Sequence, residues 1–560
     1  MEGISDLVKQ LLARRGVESD EAIRAFLEPD YETQVHDPFL FADMEKAVDR
    51  VLHAIAENEY VAVYADFYCD GIPGASVLSD TFKKIGFDNF EVYLPHRDLE
   101  GYGFHTDAIE ALASRGTKLI ITVDVGTTAV DAVSFAREKG IDVIVTDHHE
   151  IVGTLPDAFA ILNPKLPPYP FPDLCGAGVA FKFACALLSK GKQLGIESFV
   201  AIPDGWEKWL LDLVAIATVA DMVPLVGENR ALAFWGLRVL RKTRRLGIRA
   251  LCTETRVKVE SITEDDIGFS IAPRVNAASR MGSPDVAFKL LTSDDAKEAE
   301  QLASHLEGLN DQRKGAAGAI VRQAKKSVNA QFREDEKVVV VGNPEWKPAL
   351  LGLAANSVLG ERTGVVCLWG RDGNGVLKGS CRSDGTISLA ELFTVARDAF
   401  DECGGHANSG GFSVSHERVH LLHESLAEAA RVIMEKSDGT GVSPVIEHDV
   451  RMPLRSMSSS LLRDLSQLAP FGIGNKKPIF LIDHARVVGV KSFGKENAHV
   501  EVSLDGDGMR MRSFDFFRSV KDFSHTPHEA AEIRMLATLE RDSFRGAGAI
   551  ALRIVDVLAA

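Results

Sequence analysis

The stretch 141–150, read IDVIVTDHHE, decides the fold that we predict for the first large domain. Its first six residues are almost all apolar or β-branched, which is typical of a short buried strand. The predicted strand runs directly into Asp147, His148 and His149. Two imidazoles and a carboxylate at the end of a strand suit a divalent metal ion. The triplet alone is weak evidence, because neighbouring histidines also occur by chance, so its weight depends on carboxylates elsewhere.

Residues 59–225 alternate between strand and helix patterns around this stretch. Helical patterns such as 75–85 and 128–139 lie between the strands, and this βαβ order predicts a mainly parallel sheet with helices on both faces. In such sheets, ligands lie beyond the carboxyl ends of the strands. The predicted strands are Tyr60–Ala65, Phe90–Leu94, Lys118–Val123, Ile141–Thr146 and Phe159–Leu162.

Acidic residues follow these strands at the edge where a ligand is expected. Asp66 and Asp70 follow the first strand, Asp124 follows the third, and Asp221 follows an apolar helix. One Asp at the end of a strand is usually a helix cap or a turn residue, but caps alone explain the repetition poorly. Carboxylates and imidazole without thiolate favour manganese or magnesium. Two such ions sharing Asp124 would suit in-line attack on a phosphate ester.

Composition limits the classes of protein that fit this sequence. With 560 residues, 46% of them hydrophobic and 26% charged, the chain reads as an ordinary soluble protein of about three or four domains. No apolar run reaches the length of a membrane span, so we expect no membrane association. The seven scattered cysteines favour reduced thiols and a cytoplasmic location. The net charge of −17 argues against coating nucleic acid indiscriminately, but it leaves room for a local basic groove.

The remaining sequence predicts four further regions. Residues 1–58 contain two amphipathic helical patterns and are predicted to form a helical cap on the next domain. Residues 236–335 are predicted as a helical connector that ends in one long helix over 293–326. Residues 336–440 return to α/β alternation, with small-residue turns that could approach a phosphate. Residues 445–560 contain short alternating strands, for which a small barrel of the OB type fits best.

Several motifs, in order along the chain, resemble those of the DHH phosphoesterase superfamily. The motifs are ADFYCDG (65–71), VDVGTTA (123–129), TDHH (146–149) and ADMVPLVGENR (220–230). The wider pattern resembles the RecJ family of exonucleases specific for single-stranded DNA, and the likeness extends over nearly the whole chain. It includes PHRDLEGYGF (95–104), GAGVAFK (176–182), APRVNAASRMG (272–282), KGSCRS (378–383), GGHANSGGF (404–412) and APFGIGN (469–475).

The resemblance implies a set of site residues. Two divalent cations, manganese or magnesium, would be held by five residues: Asp66, Asp70, Asp124, His148 and Asp221. His149 would lie near the scissile phosphate, and we expect His149 and Asp147 to be the catalytic residues. Binding of DNA or of its terminal phosphate is expected from Arg97, Arg280, Ser380, Arg382 and His406.

The resemblance also implies an architecture and an activity. The resemblance assigns a DHH phosphoesterase domain to 59–235, the connector to 236–335, a DHH-associated nucleic-acid-binding domain to 336–440 and an OB domain to 445–560. The implied activity is metal-dependent 5′→3′ degradation of single-stranded DNA in DNA repair and recombination. The implied partners are single-stranded DNA, a single-strand-binding protein and a helicase. A phosphatase for small nucleotides is a further hypothesis, although small substrates need neither the connector nor the barrel.

One departure from the family pattern bears on activity. The family's first motif resembles D-x-D-x-D-G, whereas this chain has Tyr68 in place of the middle carboxylate. In a strand, Tyr68 would share a face with Asp66 and Asp70. A phenol is a poor metal ligand at neutral pH because its pKa is about 10. Either Tyr68 only packs, or one ion is weakened or lost, in which case the chain would be a weakened nuclease that binds single strands. Smaller departures are Lys347 and Ala349, where the family typically has His and Gly.

Overall fold

The computed structural model describes residues 4–436, 447–494, 497–506, 508–542, 546 and 548–560. These residues form two compact units. The larger unit comprises 36–223 and 235–436, and the smaller unit comprises 4–35, 224–234 and the described residues from 447 onward. Among the described residues, no helix has both the length and the apolar character that crossing a membrane requires.

The first α/β domain of the larger unit is built on a five-stranded sheet in the order β2-β1-β3-β4-β5, with every pairing parallel. The predicted parallel sheet is therefore confirmed. Its central strands β1 and β3 are buried along nearly their whole length, which explains their continuous apolar sequence. The strands are β1 (Tyr60–Ala65), β2 (Phe90–Tyr93), β3 (Thr117–Val123), β4 (Asp142–Thr146) and β5 (Ala160–Leu162).

Helices cover this sheet, and α5 and α8 approach the carboxyl end of β3 closely. A Cβ at Gly176, the first residue of α8, would lie 2.6 Å from the Cβ of Asp124. Glycine is therefore required for the start of α8 to approach the end of β3. The helices before and within this domain are α4 (Met44–Ala56), α5 (Gly71–Lys84), α6 (Thr106–Ser114), α7 (Val130–Glu138), α8 (Gly176–Gln193), α9 (Glu197–Val200) and α10 (Leu211–Ala220).

A helical segment links the two α/β domains of the larger unit. The predicted long helix is present as α16 and runs for 36 residues. Its first half packs on α12, α14 and α15, and its second half packs on α17 and β6 of the next domain. The α-helices of this region are α11 (Gly227–Leu240), α12 (Leu246–Glu254), α13 (Glu264–Asp266), α14 (Ala272–Met281), α15 (Asp285–Thr292) and α16 (Ala296–Gln331), with a π-helix at Ile267–Ile271.

The second α/β domain contains a mixed sheet in the order β6-β7-β8-β10-β9, in which only β6 and β7 are parallel. Cys367 on β7 lies opposite Cys381 on β8, and the two form a disulfide. The expectation of reduced thiols is therefore wrong for this pair. The elements are β6 (Val338–Gly342), α17 (Pro348–Leu359), β7 (Val365–Arg371), β8 (Leu377–Ser383), α18 (Leu389–Val395), β9 (Glu402–Gly405), β10 (Ser409–Val414) and α19 (Leu422–Lys436).

The smaller unit contains the predicted barrel. Strands β12, β13, β14, β16 and β15 pair in a closed ring, and β11 adds to the edge beside β12. The OB-like barrel is thus confirmed, although its predicted start at 445 lies outside the described residues. The elements are β11 (Val450–Pro453), α20 (Ser459–Leu465), β12 (Phe480–Phe493), β13 (His499–Gly506), β14 (Met509–Phe516), β15 (Glu532–Arg541) and β16 (Ile550–Ala559).

The N-terminal helices do not form the single cap that we expected over residues 1–58. Helix α1 (Asp6–Ala13) buries Val8, Leu11 and Leu12 in the same apolar cluster as the barrel strands, and α2 (Asp20–Leu27) adds Ile23. A short α3 (Tyr31–Gln34) follows. Helix α4 packs on the first α/β domain, against α8. The cap prediction is wrong for α1 and α2, because amphipathic periodicity shows that a face is buried but not what covers it. The other domain boundaries stay predictions.

Short 3-10 helices connect several of these elements. They lie at Pro38–Leu40, Trp206–Leu210, Val259–Ser261, Arg397–Ala399, Val419–Leu421, Leu454–Ser456, Ser466–Leu468 and Val520–Asp522.

Candidate metal centre and phosphate site

The predicted metal ligands come from the ends of four elements of one α/β domain. Asp66 and Asp70 lie in the turn between β1 and α5, and Asp124 directly follows β3. His148 follows β4, and Asp221 is the residue after α10. Because β1, β3 and β4 are neighbouring parallel strands, their carboxyl ends meet at one edge of the sheet. Asp124 has a φ of 61°, a left-handed conformation that Asp tolerates better than most residues.

Three of the predicted carboxylate ligands converge on the Nε2 atom of His148. This atom lies 3.2 Å from Oδ1 of Asp124, 3.5 Å from Oδ2 of Asp70 and 3.6 Å from Oδ2 of Asp221. The backbone N–H groups of Gly176 and Ala177, at the start of α8, donate to the two carboxylate oxygens of Asp70 at 2.7 Å each. The helix start therefore fixes the orientation of the Asp70 carboxylate.

The electrostatics of this cluster fit a cation. The Oδ1 atoms of Asp66 and Asp124 are buried, and neither has a hydrogen-bond donor among the described residues. Burial raises the pKa of Asp66 to about 7, and burial together with the charge of Asp70 raises the pKa of Asp221 to about 7. The same two causes raise the pKa of Asp124 well above its ordinary value. Buried carboxylates without donors are costly, and a divalent cation would compensate this cost.

Asp147 holds the two neighbouring histidines in place through hydrogen bonds. It is 1% exposed, and its Oδ1 accepts hydrogen bonds from the backbone N–H of His148 at 2.7 Å and from Nδ1 of His149 at 2.7 Å. Its Oδ2 accepts from the backbone N–H of Thr127 at 2.8 Å. Burial opposes ionisation, but these hydrogen bonds and the charge of His149 hold the pKa of Asp147 below its usual range.

His149 is held with its ring at the edge of the acidic cluster. Burial alone would lower its pKa, but the hydrogen bond and charge of Asp147 and the charge of Asp124 raise it to about 9. The phenol oxygen of Tyr102 lies 3.2 Å from Nε2 of His149 and 3.4 Å from the carbonyl oxygen of Asp124. Sequence reasoning did not single out Tyr102, although it belongs to the PHRDLEGYGF motif.

A second contact missed at the sequence level involves Lys165. Its ammonium group donates to the carbonyl oxygen of His148 at 2.6 Å, and its charge opposes the raised pKa of Asp221. Asn163, two residues earlier, donates to the carbonyl oxygen of His149 at 3.0 Å. Both residues follow the short strand β5, so position at a strand end is the signal that could have indicated them.

Tyr68 does not lie in a strand. Strand β1 ends at Ala65, and residues 66–70 turn into α5, so the expectation that Tyr68 shares a strand face with Asp66 and Asp70 is wrong. The aromatic ring of Tyr68 lies beside two guanidinium groups, 4.8 Å from that of Arg97 and 5.2 Å from that of Arg280, measured to the ring centroid. Such cation–π contacts give the ring a packing role.

Three of the predicted phosphate-binding residues lie close together, although they come from the two α/β domains and from the helical segment between them. The charge of Arg280 lowers the pKa of both Arg97 and Arg382, after burial as the larger cause, so the three guanidinium groups form one cluster. The pKa of Arg97 falls to about 9 and that of Arg280, through burial, to about 10. Nη1 of Arg97 is buried without a hydrogen-bond acceptor among the described residues. Buried cations that repel one another suit an anionic ligand.

Ser380 and His406 flank Arg382 on the mixed sheet. Ser380 lies two residues before Arg382 on β8, and Ser409 of β10 pairs opposite Arg382. His406 is exposed in the turn that joins β9 to β10, which places it at the same end of the sheet. Across the two α/β domains, Nζ of Lys347 lies 2.8 Å from Oδ2 of Asp98, so this departure from the family pattern makes an ion pair.

We predict that the metal-free protein loses stability as the pH rises and the buried carboxyl groups of Asp66 and Asp221 ionise. Folding raises the pKa of Asp66 and Asp221 from 3.8 to about 7, so both groups favour the folded state least when ionised. The melting temperature should therefore fall between about pH 4 and pH 7. It should fall further above pH 7, because folding raises the pKa of His149 to about 9 and the stability gained from its charged form is lost as the ring deprotonates. Calorimetry without metal measures this slope, and Asp66→Asn should flatten it. The exposed Asp131→Asn serves as the control, and a rising melting temperature would contradict the prediction.

Comparison with known families identifies three domains along the chain. Residues 60–218 match the N-terminal domain of the DHH family, residues 335–434 match the DHHA1 domain and residues 448–556 match the RecJ OB domain.

Curated relatives and solved structures agree with these matches. The chain is 35% identical over 516 residues to the single-stranded-DNA-specific exonuclease RecJ of Bacillus subtilis, covering 92% of this chain and 63% of that relative. It is 30% identical over 552 residues to the protein of the same name from Escherichia coli, covering 96% of this chain and 93% of that relative. A manganese complex of RecJ from Thermus thermophilus superposes with a TM-score of 0.81 at 25% identity, covering 100% of this chain and 76% of that one. The chain therefore belongs to the RecJ family and combines a DHH domain, a DHHA1 domain and a RecJ OB domain.

Proposed function

We propose that this chain is a divalent-metal-dependent exonuclease that removes nucleotides from the 5′ end of single-stranded DNA. The proposal depends on a cluster of buried carboxylates, in which Oδ1 of Asp66 and Oδ1 of Asp124 accept no hydrogen bond from any described residue. This cluster lies beside a group of buried guanidinium groups. The first cluster fits a divalent cation and the second fits a terminal phosphate. The names of the family's curated relatives support the choice of single-stranded DNA as the substrate.

The chain's own residues would divide the chemistry at the scissile phosphate. The divalent cations would be held by Asp66, Asp70, Asp124, His148 and Asp221, and cations bound there would supply Lewis-acid charge for phosphodiester hydrolysis. His149 would place a hydrogen-bond donor beside the phosphate. Asp147 would keep the His149 ring in one orientation through its hydrogen bond to Nδ1.

The guanidinium cluster would explain why cleavage starts at a 5′ end. Arg97 lies close enough to Asp66 for its positive charge to lower the pKa of that carboxyl, against the effect of burial. A terminal phosphate bound by Arg97, Arg280 and Arg382 would therefore sit next to the acidic cluster. The first phosphodiester bond after that terminus would then be the one presented to the site.

We expect Arg382→Ala to reduce the preference for a 5′-phosphate over a 5′-hydroxyl. Loss of a hydrogen bond between charged groups costs about 1.5–3 kcal/mol, which corresponds to roughly 10- to 100-fold in kcat/KM on the phosphorylated strand. Strands with the two ends are compared in steady-state cleavage. Arg371→Ala, at the exposed end of neighbouring strand β7, is the matched control. Equal losses on both strands would indicate a structural role for Arg382 instead.

Substrate size separates this proposal from a phosphatase that acts on small nucleotides. The experiment compares manganese-dependent hydrolysis of a single strand, the same strand in a duplex, and a dinucleotide. We expect turnover of the single strand to exceed that of the blunt duplex clearly. Preference for the dinucleotide would contradict the proposal, and binding of single strands without turnover would instead support a disabled nuclease.

Membership of the RecJ family also supports a proposal about the cellular process and the partners. We propose that the chain acts in DNA repair and recombination in the cytoplasm, where a helicase would supply single strands and a single-strand-binding protein would cover them. The relatives' action on single-stranded DNA supports this setting. Co-purification of either protein with the intact chain would test the partners.

A further inference from the structure

Helix α17 of the second α/β domain contacts all three parts of the chain that supply the guanidinium cluster. Its buried side packs on α16, β7 and β8, and close packing on this side holds the helix in one position. The other contacts come from its first two turns and from Lys347, the residue that precedes the helix. They reach strand β8, which carries Arg382, helix α14, which carries Arg280, and the loop between β2 and α6, which carries Arg97.

Gly352, in the second turn of α17, leaves the space in which the guanidinium group of Arg382 lies. A Cβ at this position would lie 2.4 Å from Nη2 and 3.2 Å from Cζ of Arg382, and the first separation is shorter than real Cβ contacts. Nη1 of the same group donates to the carbonyl oxygen of Cys381 at 2.8 Å. Because the guanidinium group is the end of a flexible side chain, an added methyl group would displace it and leave the helix in place.

Arg280 is held by the backbone of the same helix. Its Nη1 atom donates to the carbonyl oxygen of Ala349, in the first turn of α17, at 2.5 Å. Arg280 itself lies near the end of α14, in the helical segment between the two α/β domains. This hydrogen bond therefore ties one arginine of the cluster to the start of α17.

The loop that carries Arg97 is attached to the second α/β domain at two points. Nζ of Lys347 lies 2.8 Å from Oδ2 of Asp98, the residue after Arg97. The side-chain amide of Asn374, in the turn between β7 and β8, donates to the carbonyl oxygen of Leu99 at 3.1 Å. Lys347 and Asn374 therefore restrict where the backbone of the loop can place the Arg97 side chain.

We propose that the start of α17 positions the arginines that bind a terminal phosphate. Gly352 provides the space for Arg382, and Lys347 holds the loop that carries Arg97. Both are positioning residues, which act on the phosphate through these arginines. The inference rests on the proposed function for its ligand, a 5′-terminal phosphate, and it adds the residues that determine how strongly this phosphate is preferred.

The test measures binding of the full chain to two single strands that differ only in a 5′-phosphate or a 5′-hydroxyl. Fluorescence anisotropy, with a label at the 3′ end and with EDTA present, gives both dissociation constants without cleavage. Gly352→Ala should reduce the preference for the 5′-phosphate by roughly 10- to 100-fold, as expected for Arg382→Ala. Its melting temperature should not fall, because Ala is a better helix former than Gly. Gly360→Ala, at the opposite end of α17 where a Cβ would make only ordinary contacts, is the matched control.

A double variant separates positioning of Arg382 from a general structural effect of the added methyl group. Once Arg382→Ala has removed the guanidinium group, the methyl group of Gly352→Ala has nothing to displace. The double variant should therefore bind both strands as Arg382→Ala alone does. A further loss of binding in the double variant would show that Gly352 acts elsewhere and would overturn its assignment.

Lys347→Ala should reduce the preference for the 5′-phosphate by about two- to fivefold, since a partly exposed ion pair contributes modestly. Lys347→Arg, which keeps the charge, should retain the preference. Lys347→Ala should have no further effect once Asp98→Ala has removed its partner. Lys325→Ala breaks the ion pair with Glu361, beside the other end of α17, and is the control.

An unchanged preference in folded Gly352→Ala would overturn the inference for Gly352. Failure of Gly352→Ala to fold would do the same, because the methyl group would then have displaced more than a guanidinium group. The inference for Lys347 is decided separately, and it is overturned if Lys347→Ala keeps the full preference or if Lys347→Arg loses it.

The same measurements distinguish this inference from the proposed function. A wild type that binds both strands equally would refute the terminal-phosphate site and the inference together. A wild type that prefers the phosphate, with variants that keep this preference, would refute the inference alone. Loss of the preference in both variants, combined with cleavage from the 3′ end, would refute only the proposed direction of cleavage.

Discussion

Asp124→Asn is expected to reduce hydrolysis of single-stranded DNA by about a thousandfold or more while the protein remains folded. The Oδ1 atom of Asp124 lies 3.2 Å from Nε2 of His148 and accepts no hydrogen bond from the residues that the structure describes, so it is available to a cation. Charge stabilisation by a bound cation contributes several kcal/mol to lowering the barrier, and each 1.4 kcal/mol or so is about tenfold in rate. Asn suits this position better than Ala because the backbone φ is 61°.

Folding of the Asp124→Asn variant is expected to be retained because the substitution removes one negative charge from a crowded acidic cluster. Its melting temperature without metal should match or exceed that of the wild type. Asp131→Asn, in the first turn of α7, changes an exposed carboxylate of the same domain and is the control for both measurements. Turnover of Asp124→Asn close to that of the wild type would refute the assignment of this residue as a metal ligand.

His149→Ala is expected to lower kcat by about 10²- to 10³-fold, the usual loss when one positioned donor to the transition state is removed. KM should change little, because the guanidinium cluster that would bind the strand is left intact. Asp147→Asn should cost less, about 10- to 100-fold, since the ring loses only the partner that orients it. Single-turnover cleavage at saturating manganese measures both effects.

The control for the histidine is His53→Ala, which removes an exposed imidazole from α4. A large rise in KM without loss of kcat would assign His149 to strand binding instead of chemistry. Asp147→Asn with a greater loss than His149→Ala would indicate that the carboxylate has a role beyond orienting the ring.

The parallel sheet and its acidic edge could be predicted because they depend on local sequence. Strands such as Thr117–Val123 are buried on both faces and so read as continuous apolar runs. Because the carboxyl ends of parallel strands meet at one edge of a sheet, Asp66, Asp124 and His148 could be predicted to lie close together without knowing how the helices pack. The sequence could not give the distances, because they depend on how closely Gly176 lets α8 approach Asp124.

Other features could not be predicted because they depend on contacts between residues far apart in sequence. The alternation rule placed Tyr68 on a strand face, but the strand ends at Ala65. In the turn that follows, the backbone N–H of Cys69 donates to the side chain of Asn276 on α14, more than 200 residues later in the sequence. The pairing of Cys367 with Cys381 requires the register of two strands. The contact of Tyr102 with His149 joins a loop to a strand end 47 residues later. Amphipathic patterns likewise could not show that α1 packs with the barrel.

The measurement that tests the proposed exonuclease most directly follows the two ends of one strand. A single-stranded oligonucleotide with a 5′-phosphate is labelled at its 5′ end in one reaction and at its 3′ end in another, with manganese present. A 5′→3′ exonuclease should release the 5′ label at once as a mononucleotide, while the 3′ label remains on progressively shorter strands. Immediate release of the 3′ label, or of internal fragments from either strand, would contradict the proposed function.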